Sequence, residues 1–448
     1  MNNIHARLAA LGVEIPEILL PRERTDFSKW AVIACDQFTQ DRNYWEQVRN
    51  NVAGVPSCLN LIFPEVFLED GGTEARNMRI RDIRNSMNAY IKEDVFASPR
   101  RCCVYLERST VRHPKRRGIV LSVDLEQYDW TPESRPLIRS TEGTVAERLP
   151  SRIEIRRGAP LELPHVLLLI DDDEDSLIPS LGKIAQKSSP LYETPLMMNS
   201  GSVSGWALDT EEAWTFLAEG LETLADKAGR RYTLAAGQPP SNCSYCARPE
   251  GTYGTVSSGE RPFLFAAGDG NHSLATAKFV WEEYKKAHAN EAVLSNHPAR
   301  WALVEVENLY DPGISFEPIH RVVFGVELPE LLEALSVLSD IKCWPDASGR
   351  IIKIESLSSE IATASLQPLL DSFVKEKGLL IDYIHGEDGV LRLAADPARP
   401  AVGIILPPIK KDGLFKTVAQ TGPLPRKSFS MGEAEEKRFY LECRRLFE

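Results

Sequence analysis

Residues 261–273 have the sequence RPFLFAAGDGNHS, and this stretch decides which fold we expect. The apolar run at 263–267 predicts a buried strand, which stops at a turn that contains Gly268 and Gly270. A helix follows this turn, because apolar residues recur at helical spacing from Leu274 onward. A strand, a glycine turn and a helix together form the unit with which α/β proteins present backbone N–H groups to an anion.

The turn itself is rich in polar side chains. Asp269 and His272 add a carboxylate and an imidazole, and Ser273 is expected to be the N-cap of the helix. Because glycine allows a positive φ and the close approach of a ligand, we predict a phosphate site here. The predicted ligand-binding residues of the turn are Gly268, Gly270, Asn271 and Ser273. The alternative is a capping turn in which Asp269 and Asn271 only hold the backbone.

The composition is that of a globular protein with an acidic surface. With 448 residues, 43% of them hydrophobic, the chain can bury one large core or two to three smaller ones. Its 64 acidic residues outnumber 52 basic ones, which argues against general nucleic-acid binding. No apolar run approaches the length of a membrane span, and the first 16 residues lack a signal-peptide pattern. We therefore expect a cytoplasmic protein, and the sequence leaves its oligomeric state open.

Strand-like and helix-like patterns alternate along the chain, which predicts an α/β fold with mixed sheets flanked by helices. A mixed α+β arrangement is the alternative. We expect an N-terminal lobe at 1–229, a Gly/Pro/Ser-rich loop or linker at 230–260 and a C-terminal lobe at 261–448. Both lobes are expected to share one site. In the second lobe we predict a strand at 390–393 and a last helix at 430–447, which begins with a capping box.

Four further polar clusters lie beside sequence that appears buried, at 35–37, 139–144, 320–321 and 425–428. Each alone is explained by helix capping, surface charge or core packing. Together they predict a site for an anionic small molecule, with arginine and lysine side chains around it. The predicted ligand-binding residues in and beside these clusters are Arg139, Arg148, His320, Arg321, Arg426 and Lys427. One pocket is expected to be lined by Asp36, Glu142, Asp269, His272 and Arg426.

Two cysteines, Cys243 and Cys246, have the spacing of zinc ligands. A structural zinc site needs four ligands, and the sequence contains no second pair at such a spacing. The two residues also lie in a Pro/Gly-rich stretch, whereas a redox pair is expected at the start of a helix. We therefore predict no metal site here and expect reduced thiols.

Five segments of the chain resemble one bacterial family, the domain-of-unknown-function family numbered one thousand and fifteen. They are ACDQ at 34–37, RSTEGT at 139–144, DGNHSLATA at 269–277, FEPIHRVVF at 316–324 and PRKSFSMG at 425–432. The resemblance extends, in order, through almost the whole chain. It implies little about activity, because that family has no established reaction.

The glycine turn also resembles the Asp-Gly-His-His-Arg turn of a wider group that contains ParB partition proteins, sulfiredoxin and an ADP-dependent free-serine kinase. Members of this group hold nucleotide phosphates with the turn, and a glutamate activates the serine hydroxyl in the kinase. Asn271 stands here where the group has its first histidine, and Ser273 stands where it has arginine. The arginine would then come from elsewhere, and the candidates are Arg139, Arg148, Arg321 and Arg426.

We favour phosphoryl transfer from a nucleotide to a small hydroxyl compound, with ATP or ADP and Mg²⁺ as the expected cofactors. Glu142 or Asp36 would act as the base, and Asp269 would position Mg²⁺ or the acceptor. The N–H groups of residues 271–273 would hold phosphate, while Arg139, Arg148 and Arg426 would neutralise its charge. One alternative is a non-catalytic sensor of a nucleotide or phosphorylated metabolite. A second is a metal-dependent hydrolase that uses Asp36, Asp269, His272 and His320.

Overall fold

The chain is described by a computed structural model. It covers residues 2–131, 134–144, 149–232, 261–289, 294, 296–356, 359–397, 399–408, 410–425 and 427–447. Four residues with predicted roles, Arg148, Cys243, Cys246 and Arg426, lie outside the described residues, as does most of the predicted linker at 230–260.

Helices surround the sheets of the molecule. The described α-helices are α1 (Asn2–Ala10), α2 (Phe27–Trp30), α3 (Arg42–Asn51), α4 (Gly72–Lys92), α5 (Leu149–Arg156), α6 (Leu177–Ala185), α7 (Glu211–Tyr232), α8 (Asn271–Ala287), α9 (Leu328–Leu335), α10 (Ser359–Lys377), α11 (Glu387–Ala394) and α12 (Leu414–Thr421). On α8 the buried residues Leu274, Ala277 and Trp281 recur every three or four positions, so one face packs on the core. None of the described helices combines the length and the apolar character needed to cross a bilayer.

A ten-stranded sheet forms the centre of the molecule. Its strands are β1 (Val13–Glu14), β2 (Cys103–Ser109), β3 (Arg116–Asp124), β4 (Tyr128–Asp129), β5 (Ile138–Ser140), β6 (Leu167–Ile170), β7 (Tyr192–Pro195), β8 (Ser202–Leu208), β9 (Phe265–Asp269) and β10 (Trp301–Asn308). Their order is β7-β8-β2-β3-β10-β6-β9-β5-β4, and β1 pairs with the end of β3. The sheet is mixed: β6 is parallel to β10 and antiparallel to β9, while β9 is parallel to β5.

A second, six-stranded sheet follows in sequence. Its strands are β11 (Phe316–Phe324), β12 (Lys342–Pro345), β13 (Ile351–Glu355), β14 (Leu380–His385), β15 (Ala401–Ile405) and β16 (Phe429–Met431). Their order is β12-β13-β15-β11-β14, and β16 pairs with the first residues of β11. The strand predicted at 390–393 is wrong, because these residues belong to α11. Val390 and Ala394 are buried while Arg392 between them is exposed, which fits the period of a helix, whereas a strand would place all three residues on one face.

Two mixed sheets with surrounding helices confirm the predicted α/β class, and β9, Gly270 and α8 confirm the strand–glycine turn–helix unit. β9 and β10 belong to the same sheet as strands from the first 208 residues. The division into lobes at 1–229 and 261–448 stays a prediction.

The segment at 429–447 is extended, so the helix predicted at 430–447 is wrong. Phe439–Tyr440 pairs with Val32–Ile33, and Arg444–Arg445 pairs with Leu161–Glu162. The capping box of this segment joins Glu433 to Glu436 and caps only a single 3₁₀ turn. All residues from 437 to 444 are buried, on every side of the backbone. A surface helix would expose one face, whereas an extended segment inside the core buries both.

A buried arginine anchors this segment to the large sheet. Arg438 pairs with Glu305 on β10 and, through its second guanidinium nitrogen at 2.5 Å, with Glu442. The side chains of the two glutamates are at most 1% exposed. Burial alone would raise the pKa of Glu305, but Arg438 and Arg116 outweigh it and hold the pKa below its usual value. The ion pairs therefore compensate for the removal of these charges from water.

We expect Arg438→Leu to destabilise the fold by about 3–5 kcal/mol, because the variant leaves two buried carboxylates without their cation. The free energy of unfolding from denaturant titration measures this effect. Arg445→Leu is the matched control, since Arg445 is exposed in the same segment and should change stability by less than about 0.5 kcal/mol. A similar, small effect of both variants would contradict the role given to Arg438.

Candidate functional site

The glycine turn is built around a left-handed residue. Gly270 has φ 76° and is the N-cap of α8, so the prediction that Ser273 is the N-cap is wrong. The helix begins three residues earlier than a cap at Ser273 requires, because Gly270 adopts the left-handed backbone at no steric cost. Ser273 therefore lies in the first turn, where its N–H donates to the carbonyl of Gly270 at 2.9 Å. Its hydroxyl is left to contact another element.

That hydroxyl begins a chain of polar contacts between four distant parts of the sequence. Ser273 Oγ lies 2.8 Å from His165 Nε2, and Tyr440 OH lies 2.8 Å from His165 Nδ1. The Tyr440 hydroxyl also donates to Cys35 Sγ at 3.2 Å. With this donor assignment, His165 carries its proton on Nδ1 and accepts from Ser273 through Nε2.

Asp36 lies beside this chain, with Oδ2 3.9 Å from His165 Nε2. Burial favours the neutral acid, but His165, a hydrogen bond from Gln37, Arg152 and Lys437 together lower the pKa of Asp36. Burial also lowers the pKa of His165, against the opposing effect of Asp36 and Asp269. At neutral pH the site therefore combines an ionised carboxylate with a neutral imidazole. We call Cys35, Asp36, His165, Ser273 and Tyr440 the Asp36 cluster.

Asp269 uses both carboxylate oxygens within the protein. Oδ1 accepts from the N–H of Gly270 at 2.8 Å, and Oδ2 forms an ion pair with Lys437 at 3.1 Å. Each oxygen keeps a second lone pair, so the role of Asp269 in positioning Mg²⁺ or the acceptor stays a prediction. Lys437 brings a positive charge to the start of α8.

A cavity of about 130 Å³ adjoins the Asp36 cluster. Cys35, His165, Ser273 and Tyr440 form its polar end. The remaining wall is largely apolar and comes from residues 61–68, α4 and the region of α5. The cavity therefore joins a polar group of side chains to a space suited to a small molecule.

The clusters at 139–144, 320–321 and 425–428 meet around Glu142. Its carboxylate accepts from the backbone N–H groups of Lys427, Ser428 and Phe429 at 3.3, 3.0 and 3.4 Å. Arg321 donates to the carbonyl of Lys427 at 3.0 Å. Burial raises the pKa of Glu142, and the three backbone hydrogen bonds oppose that rise. The neighbouring Thr141 hydroxyl donates to Ala267 O at 2.7 Å, which joins this group to β9.

Two predicted ligand-binding residues make structural contacts instead. The Arg139 guanidinium donates to the carbonyls of Pro136 and Arg261 and lies 4.7 Å from the Phe263 ring centroid. His320 Nδ1 accepts from the N–H of Leu406 at 3.2 Å, beside the second sheet. Their binding of a ligand stays a prediction.

The first turn of α8 contains a buried acceptor. Asn271 is 9% exposed, and its Oδ1 has no hydrogen-bond partner among the described residues. Buried polar atoms are nearly always paired, so this amide is a candidate contact for a bound molecule. His272 follows it and is half-buried.

The sequence analysis did not identify three residues that shape the site: His165, Lys437 and Tyr440. His165 immediately precedes the apolar run of β6, and an imidazole at the start of a buried strand is the signal that could have identified it. Lys437 and Tyr440 lie in the segment at 430–447, which the sequence pattern predicts as a helix and which is extended in the structure. Their signal depends on the path of the 429–447 segment, which the sequence pattern does not reveal.

The chain belongs to a family of proteins of unknown function, DUF1015, whose family model matches residues 18–440. No curated protein matches the chain. The solved structures similar to it include a conserved hypothetical protein from Pyrococcus furiosus, at 10% identity and TM-score 0.32, over 73% of this chain and 95% of that one. Another is a free serine kinase in complex with AMP, at 11% identity and TM-score 0.34, and the match covers 72% of this chain and 90% of that one. A variant of the kinase in complex with ADP is 11% identical to this chain with a TM-score of 0.34, and the match covers 72% of this chain and 91% of that one.

Gly270→Ala should destabilise the protein by more than about 1 kcal/mol, because the new Cβ would be forced into a left-handed conformation. It would also lie 3.0 Å from Val166 Cα. Gly54→Ala is the matched control: Gly54 has φ +77°, but nothing lies within 4 Å of its Cβ position. Thermal and denaturant unfolding should show a larger loss for Gly270→Ala, and equal losses would contradict the close contact with Val166.

The lowered pKa of His165 predicts a pH-dependent stability. Between the folded pKa and the unfolded value of about 6.5, the unfolded chain binds more protons, so stability is complete above that window and falls as pH is lowered through it. His165→Gln removes this titration, and should therefore cost more free energy of unfolding at about pH 7.5 than at about pH 5.5. His288→Gln, at a ring stacked on Tyr284, is the control. An equal cost of His165→Gln at both pH values would show that the imidazole is not held neutral.

Proposed function

We propose that this protein binds a nucleotide or phosphorylated metabolite at the start of α8 and transfers a phosphoryl group to a small hydroxyl compound. The observation that carries the proposal is the Asp36 carboxylate, whose Oδ2 lies 3.9 Å from His165 Nε2, beside a cavity and the first turn of a helix. Phosphoryl transfer requires mainly positioning, charge stabilisation and a base for the acceptor hydroxyl.

Asp36 is the better candidate for the base. A general base has to be ionised and must have an oxygen available to the acceptor, and the lowered pKa of Asp36 satisfies the first condition. Asp36 Oδ1 accepts from Gln37 at 3.0 Å, while Oδ2 lies at a longer distance from His165. Glu142 satisfies both conditions less well than Asp36. Its pKa is raised, which disfavours the ionised form, and its carboxylate already accepts hydrogen bonds from three backbone N–H groups. We therefore assign Glu142 to holding the 427–429 backbone.

The start of α8 is the proposed phosphate site. A helix N-terminus carries a partial positive charge, and the backbone N–H groups of its first turn can donate to an anion. Lys437 lies beside it, paired with Asp269 at 3.1 Å, and supplies the cation that the turn lacks in place of arginine. The Asn271 amide is buried there with an unpartnered oxygen, and in the flipped orientation its N–H₂ group would donate to phosphate. Arg426 stays a further candidate.

In the proposed reaction the acceptor hydroxyl oxygen forms a bond to phosphorus, and the bond from phosphorus to the bridging oxygen of the donor breaks. The hydroxyl proton passes to Asp36, and the charge of the departing phosphate stays near Lys437 and α8. Mg²⁺ bound with a nucleotide would neutralise phosphate charge, and Asp269, which lies beside Lys437 at the start of α8, is the carboxylate that would hold it. His165 keeps Ser273 in place and, being neutral, adds no charge that would compete for the phosphate.

The metal-dependent hydrolase has less support. It requires Asp36, Asp269, His272 and His320 to converge, whereas the His320 imidazole is bound to the Leu406 N–H. Within the described ranges, no group of three or more histidine, cysteine, aspartate or glutamate side chains is placed to hold a metal ion.

Asp36→Asn should lower phosphoryl transfer by about 10²- to 10⁴-fold and leave nucleotide binding largely intact. Single-turnover assays with labelled ATP, ADP and CTP, in the presence of a mixture of hydroxyl compounds, measure transfer, and thermal unfolding with each nucleotide measures binding. Asp41→Asn is the matched control, because Asp41 only caps α3 and asparagine caps equally well.

The same experiment separates the alternatives. Stabilisation by a nucleotide or by inorganic phosphate without any transfer would identify a non-catalytic sensor. If neither a nucleotide nor phosphate stabilises the unmodified protein, the phosphate site at α8 is wrong.

A further inference from the structure

The wall of the cavity beside the Asp36 cluster is dominated by hydrocarbon. Apolar side chains from four separate parts of the chain form it: Leu61, Phe63, Met87, Ile155, Leu163 and Leu446. Most of these side chains are buried, so the wall is part of the packed core. A molecule that fills this space gains chiefly by removing apolar surface from water.

The charged residues of the wall already have partners. Arg152 pairs with Glu65, and Arg156 pairs with Glu162 at 2.5 Å. Glu162 also pairs with Arg444 at 2.5 Å, from the buried 429–447 segment. The four wall residues contribute two positive and two negative charges, which sum to zero, and the neutral His165 adds none. Asp36 is not among the residues of the wall, so a charged group buried among them would lose its hydration without gaining a free counter-ion in the wall.

The polar end of the cavity can hold one hydroxyl group. Ser273 Oγ and His165 Nε2 lie 2.8 Å apart at this end, and Asp36 Oδ2 lies 3.9 Å from the same nitrogen. Hydroxyl and imidazole groups both accept and donate hydrogen bonds, so they orient an alcohol oxygen without requiring it to be charged. The cavity therefore has hydrogen-bonding groups at one end, next to Asp36, while the rest of its wall consists of hydrocarbon and two ion pairs.

We propose that the phosphoryl acceptor is an uncharged alcohol with a compact hydrocarbon body, which occupies this cavity and directs its hydroxyl group to the Asp36 cluster. This inference rests on the function proposed above. The volume sets the size: a cavity of about 150 Å³ lined by apolar side chains takes a benzene ring, so about 130 Å³ takes a hydrocarbon body of at most about six non-hydrogen atoms, with the hydroxyl group at the polar end. The charged phosphate stays outside the cavity, at the start of α8.

The direct test compares acceptors of matched size and different charge. Cyclohexanol and cyclopentanol represent the proposed class, glycerol is uncharged but polar, and serine, glycolate and choline are charged. Transfer from ATP or ADP should be at least about tenfold more efficient, in kcat/KM, for the first two than for any other. Thermal unfolding with cyclohexanol alone, without nucleotide, measures occupation of the cavity independently of transfer.

Two variants change the size of the cavity. Ala159→Leu adds three carbons to the wall and should abolish the stabilisation by cyclohexanol. Leu163→Ala enlarges the cavity and should move the preferred acceptor to alcohols longer by one to three carbons. Leu196→Ala is the matched control, a buried leucine of the same core cluster that does not belong to the cavity wall. It should leave the preference unchanged. Because Ala159→Leu could disturb folding, the enlarged Leu163→Ala cavity provides an independent result.

The possible outcomes separate this inference from the proposed function. Transfer to serine, glycolate or choline in preference to the apolar alcohols would overturn the acceptor class and leave phosphoryl transfer intact. Stabilisation by cyclohexanol that Ala159→Leu does not reduce, or a preference that Leu163→Ala does not change, would place the acceptor elsewhere and also overturn the inference. Absence of transfer to every acceptor, with nucleotide bound, would overturn the proposed function itself.

Discussion

The guanidinium of Arg438, buried between Glu305 and Glu442, is the interaction on which the arrangement of this protein depends. Buried carboxylates are costly without a partner, and Arg438 satisfies two of them at once. It thereby fixes the extended 429–447 segment against β10. The neighbours of Arg438 in that segment reach the site: Lys437 pairs with Asp269, and Tyr440 contacts His165 and Cys35. Core stability and site geometry therefore share one anchor.

The chemistry of the site follows from how that core distributes charge. Desolvation favours the neutral form of both central groups, so it raises the pKa of the Asp36 carboxyl group and lowers the pKa of the His165 imidazole. At Asp36 the neighbouring basic groups and a hydrogen bond outweigh desolvation, so its pKa is lowered. At His165 desolvation outweighs the two neighbouring carboxylates, so its pKa is lowered as well. The result is one fixed negative charge beside a neutral hydrogen-bonding chain. A base next to a neutral, largely apolar cavity is a combination suited to a hydroxyl compound rather than to an ion.

The sequence predicts the structure correctly where the signal for an element is local. The apolar run, two glycines and helical periodicity around residue 270 predicted β9, the turn and α8, because all three are encoded within about 25 residues. The 429–447 segment was misassigned because its extended path is fixed by partners far away in sequence, such as Ile33 and Glu305, and not by its own pattern. His165 was overlooked for the same reason. Glu142 was chosen for its type of side chain, and only the structure reveals that three backbone N–H groups share its carboxylate.

Pairing between residues 32–33 and 439–440 also has a consequence for folding. Contacts of such long sequence separation form late, because closing a loop of this length costs entropy before any contact compensates for it. During synthesis Asp36 and His165 leave the ribosome long before Lys437, Arg438 and Tyr440 exist. Until the 429–447 segment is inserted, the carboxylate of Glu305 therefore has Arg116 nearby but lacks its ion pair with Arg438. The chain acquires its complete core and its complete site in the same final folding step.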